Sequence, residues 1–206
     1  MKPRWVTFTG LDERTDMARV AALTRAYPVE WGVLFGGRLG KNRYPPRSVS
    51  DAAVKLGIPL SMHLCGPRAA EANEGTPPAS YHGFSRIQVN RAQGQYDLDA
   101  MARVSRHTLK TVVVQHRTAR FPPSAAGVQW LQDTSGGKGR TAAFWAIPDT
   151  PEQLVGYAGG LNPDNVADAV ARMPAKNFWI DMETGVRTDD WLDLDKCEAV
   201  CRAVYG

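Results

Sequence analysis

Short runs rich in Val, Ile, Leu and Phe alternate along the chain with stretches whose apolar residues recur at helical spacing. The first pattern suits strands buried on both faces and the second suits helices with one buried face, so together they predict parallel strands joined by helical crossovers. Strands are predicted over residues 4–9, 31–35, 59–65, 84–89, 111–116, 128–132, 154–158 and 177–181. Helices are predicted over 12–26, 48–56, 97–106, 162–172 and 194–204; the second opens on Ser48 with Asp51 three residues on, a capping-box-like start. Segments 66–83 and 117–127 carry the pairs Pro77-Pro78 and Pro122-Pro123, and each is expected to hold one helical turn or none.

Eight such units in 206 residues lie near the lower end for a closed eight-stranded barrel. The expected fold class is α/β, a single-domain (β/α)8 TIM barrel spanning 1–206 with some shortened helices. An open doubly wound sheet is the rival. It usually carries GxGxxG after its first strand, and Thr9-Gly10-Leu11-Asp12-Glu13 offers one glycine there.

Composition narrows the partners. A chain that is 43% hydrophobic and 22% charged suits a soluble domain with a substantial core. No long uncharged apolar stretch suggests a membrane span, and MKPRWVTFTG lacks the apolar core of a secretory signal, so a cytoplasmic protein without membrane partners is expected. The net charge of +4 and pI near 9.1 are compatible with nucleic acid, but the basic residues are scattered rather than gathered in a stripe, so no nucleic acid is expected. Arg38, Lys41, Arg43 and Arg47 form the exception, a basic loop suited to a small anionic molecule. Cys197 and Cys201 lie four apart on the last helix and are expected to be buried packing residues. The default quaternary state is a monomer, with six tryptophans leaving room for a dimer contact. Neither a cofactor nor a resident metal is called for.

Barrel active sites are built where strands end and βα loops begin. That rule selects Thr9, Arg38, Arg43, His63, Cys65, Gln88, Asn90, Gln115, His116, Asp133, Gly159, Gly160, Asp181 and Glu183. Period-two alternation lets only one of Gln115 and His116 face inward. Asp133 ends a hydrophobic strand and leads into Thr-Ser-Gly136-Gly137-Lys138-Gly, where a loop can close over substrate while the carboxylate serves as acid or base. Gly159-Gly160 precedes a helix in which Asn162 is the expected N-cap and Pro163 the first helical residue; backbone N–H groups there can bind phosphate.

The strand-end Asp133 with its SGGKG loop, then AGGLNPDNV, IDMETGV and a closing DLDKCEAV helix occur in the order found in phosphoribosylanthranilate isomerases, which this chain resembles. Thr7-Phe-Thr9-Gly-Leu is similar to that family's first strand, and Val33-Leu-Phe35 through Arg43-Tyr44 to its second strand and loop. The likeness is closest from Trp130 onward and thin between 67 and 127. It implies Asp133 as general acid, Arg43 as a contact to a substrate carboxylate, and Gly159, Gly160, Thr184 and Gly185 as a phosphate cradle beside Gly136, Gly137 and Asp181. The family's reaction is an Amadori rearrangement of an aminoaldose to an aminoketose, with one acid to open the ribose ring and one base to remove the C2 proton. The family's base is a cysteine thiolate at the end of strand one, where this sequence has Thr9. A threonine hydroxyl ionises too far above neutrality to replace it unaided. Glu183 is a second departure, a carboxylate beside the expected phosphate, to be neutralised by Arg187 or Lys138 or turned inward as a replacement base.

The expectation is therefore an isomerase acting on a sugar phosphate or a related anionic or polyol metabolite, with Asp133 as acid and the base drawn from Glu183, His63 or Asp12. Two alternatives stay open. One is a non-catalytic barrel that senses a metabolite through the 38–47 loop and Gly159-Gly160. The other is a metal-dependent epimerase using His63 and Asp133, since Pro59-Leu-Ser-Met-His63-Leu is similar to the third strand of ribulose-phosphate 3-epimerases, and Asp181 or Glu183 would suit the same ion.

Overall fold

The computed structural model describes residues 1–36, 42–91, 95–134 and 142–206. Arg38, Lys41, Gly136, Gly137 and Lys138 lie outside the described residues. Eight parallel strands close into a barrel: β1 (Val6–Thr9), β2 (Val29–Phe35), β3 (Leu60–Leu64), β4 (Arg86–Val89), β5 (Thr111–His116), β6 (Val128–Asp133), β7 (Val155–Ala158) and β8 (Phe178–Met182). The seam pairs Val6 with Ile180, Thr7 with Asp181 and Phe8 with Met182. This is the (β/α)8 architecture that the alternating pattern predicts.

The helices on the outside are α1 (Met17–Ala26), α2 (Arg47–Lys55), α3 (Gly66–Asn73), α4 (Leu98–Thr108), α5 (Val166–Arg172) and α6 (Leu194–Tyr205). Among the described residues six helices thus serve eight strands, and 117–127 forms none, as its proline pair predicts. After β8 comes a 3-10 turn, Thr184–Val186, and then an antiparallel pair, β9 (Arg187–Thr188) with β10 (Trp191–Leu192).

Three helix starts differ from expectation, each for a local reason. α1 begins at Met17 because Asp16 is its cap, accepting from the N–H groups of Ala18 and Arg19, while Asp12 is drawn into a buried ion pair. α2 begins at Arg47, directly after Pro46, which places Ser48 inside the first turn; the Ser48–Asp51 capping box does not form, and Asp51 faces Arg47 at 3.5 Å instead. α5 begins at Val166 rather than at Pro163. Asn162 spends its side chain on a turn, accepting from the N–H groups of Asp164 and Asn165. α3 is the opposite case: a helix forms within 66–83 because Pro67 falls in its first turn, where no N–H is required.

Alternation sends Val6, Phe8, Trp31, Met62, Ile87 and Tyr157 outward beneath the helices, all fully or almost fully buried. Cys197 and Cys201 of α6 join this layer as free, buried thiols. The inward positions divide in two. Val113, Leu131, Ala158 and Trp179 form a separate apolar cluster inside the barrel, joined by Trp5 and Leu154. Across the lumen, Arg86 reaches Glu30 at 2.5 Å and the Thr7 hydroxyl at 2.9 Å, with its guanidinium 4.4 Å from the Trp179 ring and 5.0 Å from Trp5. The stacked indoles cap this ion pair and exclude water from it.

Candidate active site

A cavity of about 360 Å³ opens at the C-terminal ends of the strands. Thr9, Arg43, His63, Gln88, Asp133, Gly159, Gly160, Asp181, Glu183, Thr184 and Gly185 all line it, so the strand-end rule gathers most of its candidates into one place. Gln115 also faces the cavity, and His116 turns outward to pack on Phe121 and Trp130, with its Nε2 2.6 Å from the Arg120 carbonyl. Burial lowers the His116 pKa below its ordinary value.

Asp133, the last residue of β6, is 6% exposed and accepts from Gln115 Nε2 at 3.1 Å. Asp181, on β8, is held at both oxygens: Thr9 Oγ1 donates to Oδ1 at 2.7 Å and Gln88 Nε2 to Oδ2 at 3.1 Å. Burial penalises its charged form and raises its pKa to about 6, against the lowering effects of Thr9, Gln88 and Arg86; the nearby Asp133 adds to the rise. His63 sits beside Gln88, ring Nδ1 to Nε2 3.2 Å, and its Nε2 has no hydrogen-bond partner among the described residues. Burial, aided by Arg86, drives its pKa down to about 3, so the ring is neutral at physiological pH.

Glu183 is neutralised by Arg43 rather than by Arg187; Lys138, the other expected partner, lies outside the described residues. Its carboxylate receives Arg43 Nη1 at 2.6 Å, and the same guanidinium bonds Asp190 of the β9–β10 turn. Burial still raises the Glu183 pKa, with Arg43 the chief opposing influence. Arg187 is committed elsewhere, to Asp12 at 3.1 Å and to the carbonyls of Gly10 and Asp190. That pairing removes Asp12 from the candidate bases: it is 1% exposed, also accepts from Leu192 N, and does not line the cavity. Glu183 likewise does not act as a free inward carboxylate while Arg43 holds it.

Gly159 and Gly160, both at positive φ (112° and 64°), turn the chain sharply after β7. Among the described residues, the backbone N–H groups of Gly159, Gly160, Thr184 and Gly185 donate to no other group of the chain, and they lie on the two adjacent loops that follow β7 and β8. Gly185 has a packing role as well, since a Cβ there would lie 1.9 Å from the Leu161 carbonyl oxygen. The metal alternative finds no support in the geometry: among the described residues no three His, Cys, Asp or Glu side chains are grouped to hold an ion.

Tyr44, Arg91 and Arg117 line the cavity without having been picked out from sequence. Arg91 and Arg117 follow β4 and β5 by one or two residues, and Arg117 Nε donates to the Asp133 carbonyl at 3.3 Å. Extending the strand-end rule two residues into each loop would have found both.

Comparison with known proteins places this site in context. The family model described as N-(5'-phosphoribosyl)anthranilate (PRA) isomerase matches residues 86–203, more than half of the chain, and so reaches well N-terminal of the region where the likeness is plainest by eye. The N-(5'-phosphoribosyl)anthranilate isomerase of Symbiobacterium thermophilum is 28% identical over 195 residues, covering 79% of this chain and 77% of that protein. The Pseudomonas fluorescens enzyme is 35% identical over 86 residues, 40% of this chain and 41% of that protein. Among solved structures, phosphoribosyl anthranilate isomerase from Thermococcus kodakaraensis superposes with a TM-score of 0.58 at 20% identity, covering 98% and 99% of the two chains. A monomeric form of the Thermotoga maritima enzyme gives 0.65 at 15% identity, with both chains fully covered. These structures share the barrel. The chain belongs to the N-(5'-phosphoribosyl)anthranilate isomerase family.

Proposed function

We propose that this barrel is an isomerase of a phosphorylated N-glycosylamine, of the N-(5'-phosphoribosyl)anthranilate type, with Asp133 as the general acid. The observation that carries the reading is the presence, in one cavity, of a buried strand-end carboxylate and of backbone N–H groups at Gly159, Gly160, Thr184 and Gly185 that donate to no group among the described residues. Such N–H groups bind phosphate without needing a cation. A solved member of the fold family was captured with reduced 1-(o-carboxyphenylamino)-1-deoxyribulose 5-phosphate, 14% identical to this chain and covering 99% of it with a TM-score of 0.62. A ligand of that kind, an aryl carboxylate joined to a sugar phosphate, matches a cavity with backbone donors on one side and Arg43, Arg91 and Arg117 on its walls.

In this reading the phosphate sits on the β7 and β8 loops, and Glu183 is tolerated beside it because Arg43 offsets its charge. Asp133, with Gln115 fixing one oxygen, protonates the ring oxygen and opens the ribose. The test is turnover of N-(5'-phosphoribosyl)anthranilate by the purified chain, followed as loss of substrate fluorescence. Asp133→Asn is expected to lower kcat by ~100-fold or more with KM little changed. A second reading, favoured by the threonine at the end of β1, is a barrel that binds such a metabolite without converting it. It would show no turnover and a Kd unaffected by Asp133→Asn.

A further inference from the structure

We propose that Asp181 is the general base that removes the C2 proton, and that Thr9 is the positioning residue that holds its carboxylate; this rests on the isomerase reading above. The barrel seam sets Thr9 next to β8, and the register that pairs Thr7 with Asp181 lets the Thr9 hydroxyl meet Asp181 Oδ1 at 2.7 Å. The threonine therefore points its hydroxyl hydrogen at a carboxylate that lines the same cavity. The end of β1 does not supply the base. It anchors the group that does.

The other candidate bases among the described residues of this cavity are each unsuited, Tyr44 because burial pushes its hydroxyl up to about 12. His63 is kept neutral by burial and by Arg86, too weak a base at about 3. Arg86 itself is committed to Glu30. Glu183 is held by Arg43. The Cys65 thiol, at the end of β3, receives Asn90 Nδ2 at 3.6 Å, and burial pushes its pKa up, away from the thiolate. Asp133 stands on β6 as the acid. Asp181 combines a place in the cavity, hydrogen bonds from the neutral donors Thr9 and Gln88, and a proton affinity raised by burial to about 6, close to working pH.

The proton inventory closes without any further reagent. Asp133 gives its proton to the ring oxygen; the C1–O bond breaks, and the nitrogen lone pair forms C=N. Asp181 takes the C2 proton; the C–H pair becomes the C1=C2 bond, and the C=N pair returns to nitrogen. The C2 hydroxyl then returns a proton to Asp133 as C1 receives the proton held by Asp181, leaving the ketose.

The experiment measures kcat against pH for the wild type, Asp181→Asn and Thr9→Val, with a carbon-13 NMR titration of the Asp181 carboxyl in the wild type. The wild-type kcat should rise through a midpoint at about 6 that matches the NMR titration. Asp181→Asn should lose ~100-fold or more in kcat. Thr9→Val should move the midpoint upward, because the Thr9 hydrogen bond lowers the Asp181 pKa. A purely structural Thr9 would leave the midpoint in place. Wild-type turnover with Asp181→Asn within a few-fold of it, or Asp181 titrating in the ordinary carboxylate range, overturns the base assignment and leaves the isomerase reading standing. A wild type that binds the substrate without turnover overturns both.

Discussion

Between β1 and β4 the barrel lumen is lined by Thr7, Glu30, Ser61, His63, Arg86 and Gln88, whereas between β5 and β8 it is filled by Val113, Leu131, Ala158 and Trp179. Both halves are buried, but they are held differently. The apolar half gains from each contact separately, so its stability is distributed over many weak terms. The polar half depends on particular pairs, and removing one partner strands the other away from water. The family model begins at residue 86 and so covers the apolar half with β4, leaving β1, β2 and β3 outside. Thr9 lies in the half outside the match.

The comparison can be broken most severely at Glu30. Glu30→Ala leaves Arg86 buried with no carboxylate and is expected to cost about 3–5 kcal/mol in urea unfolding. The double change Glu30→Met with Arg86→Leu, which makes this half resemble the other, should recover most of that. A loss below about 1 kcal/mol for Glu30→Ala would mean that water reaches Arg86 and the two halves are not so different.

Next in size is the response to pH, which joins His63 of the polar half with Asp181 on β8, bridged by Gln88. The folded Asp181 binds its proton more tightly than the unfolded chain does, with a pKa of about 6, so its contribution to stability is lost as pH rises from about 4 to about 6. His63 acts oppositely: its folded pKa of about 3 lies below the unfolded value, so its contribution is lost as pH falls from about 6.5 towards 3. Each slope is about 1.4 kcal/mol per pH unit, and across pH 4–6 they oppose each other. The wild-type stability should be nearly flat in that window. Asp181→Asn should make stability rise with pH there, and His63→Gln should make it fall. Parallel curves for all three proteins would show that neither group is perturbed as the burial implies.

The smallest effect sharpens the apolar half. Gly156 faces the lumen where an added Cβ would lie 2.4 Å from the Trp179 ring and 2.6 Å from Leu131. Gly156→Ala should therefore destabilise by about 1–3 kcal/mol through overpacking, with no change in pH dependence. A neutral or stabilising outcome would show slack in this half that its close contacts deny.

Much of this was legible in the sequence. The eight strands lie within two residues of the predicted ends at every boundary, because short runs rich in Val, Ile, Leu and Phe mark buried strands even where polar residues such as Thr7 and Gln88 interrupt them. Most of the site candidates line one cavity because barrel geometry sends strand ends to one face. Helix starts were less legible. Asp12, Ser48 and Asn162 are all plausible caps by residue type, and each was diverted by something distant or by a neighbouring proline: Arg187 for Asp12, Pro46 for Ser48, a local turn for Asn162.

The sequence by itself determined the barrel and the face on which its strand ends converge, since both follow from local periodicity and strand direction, whereas Asp133 as the acid candidate is implied only by the family resemblance. Which carboxylate is free to act was decided only by the tertiary structure. Asp12, Asp181 and Glu183 look alike in sequence, but folding gives Arg187 to the first, Arg43 to the last, and to Asp181 the neutral donors Thr9 and Gln88. Those partners lie more than 90 residues away along the chain, and no local pattern encodes them.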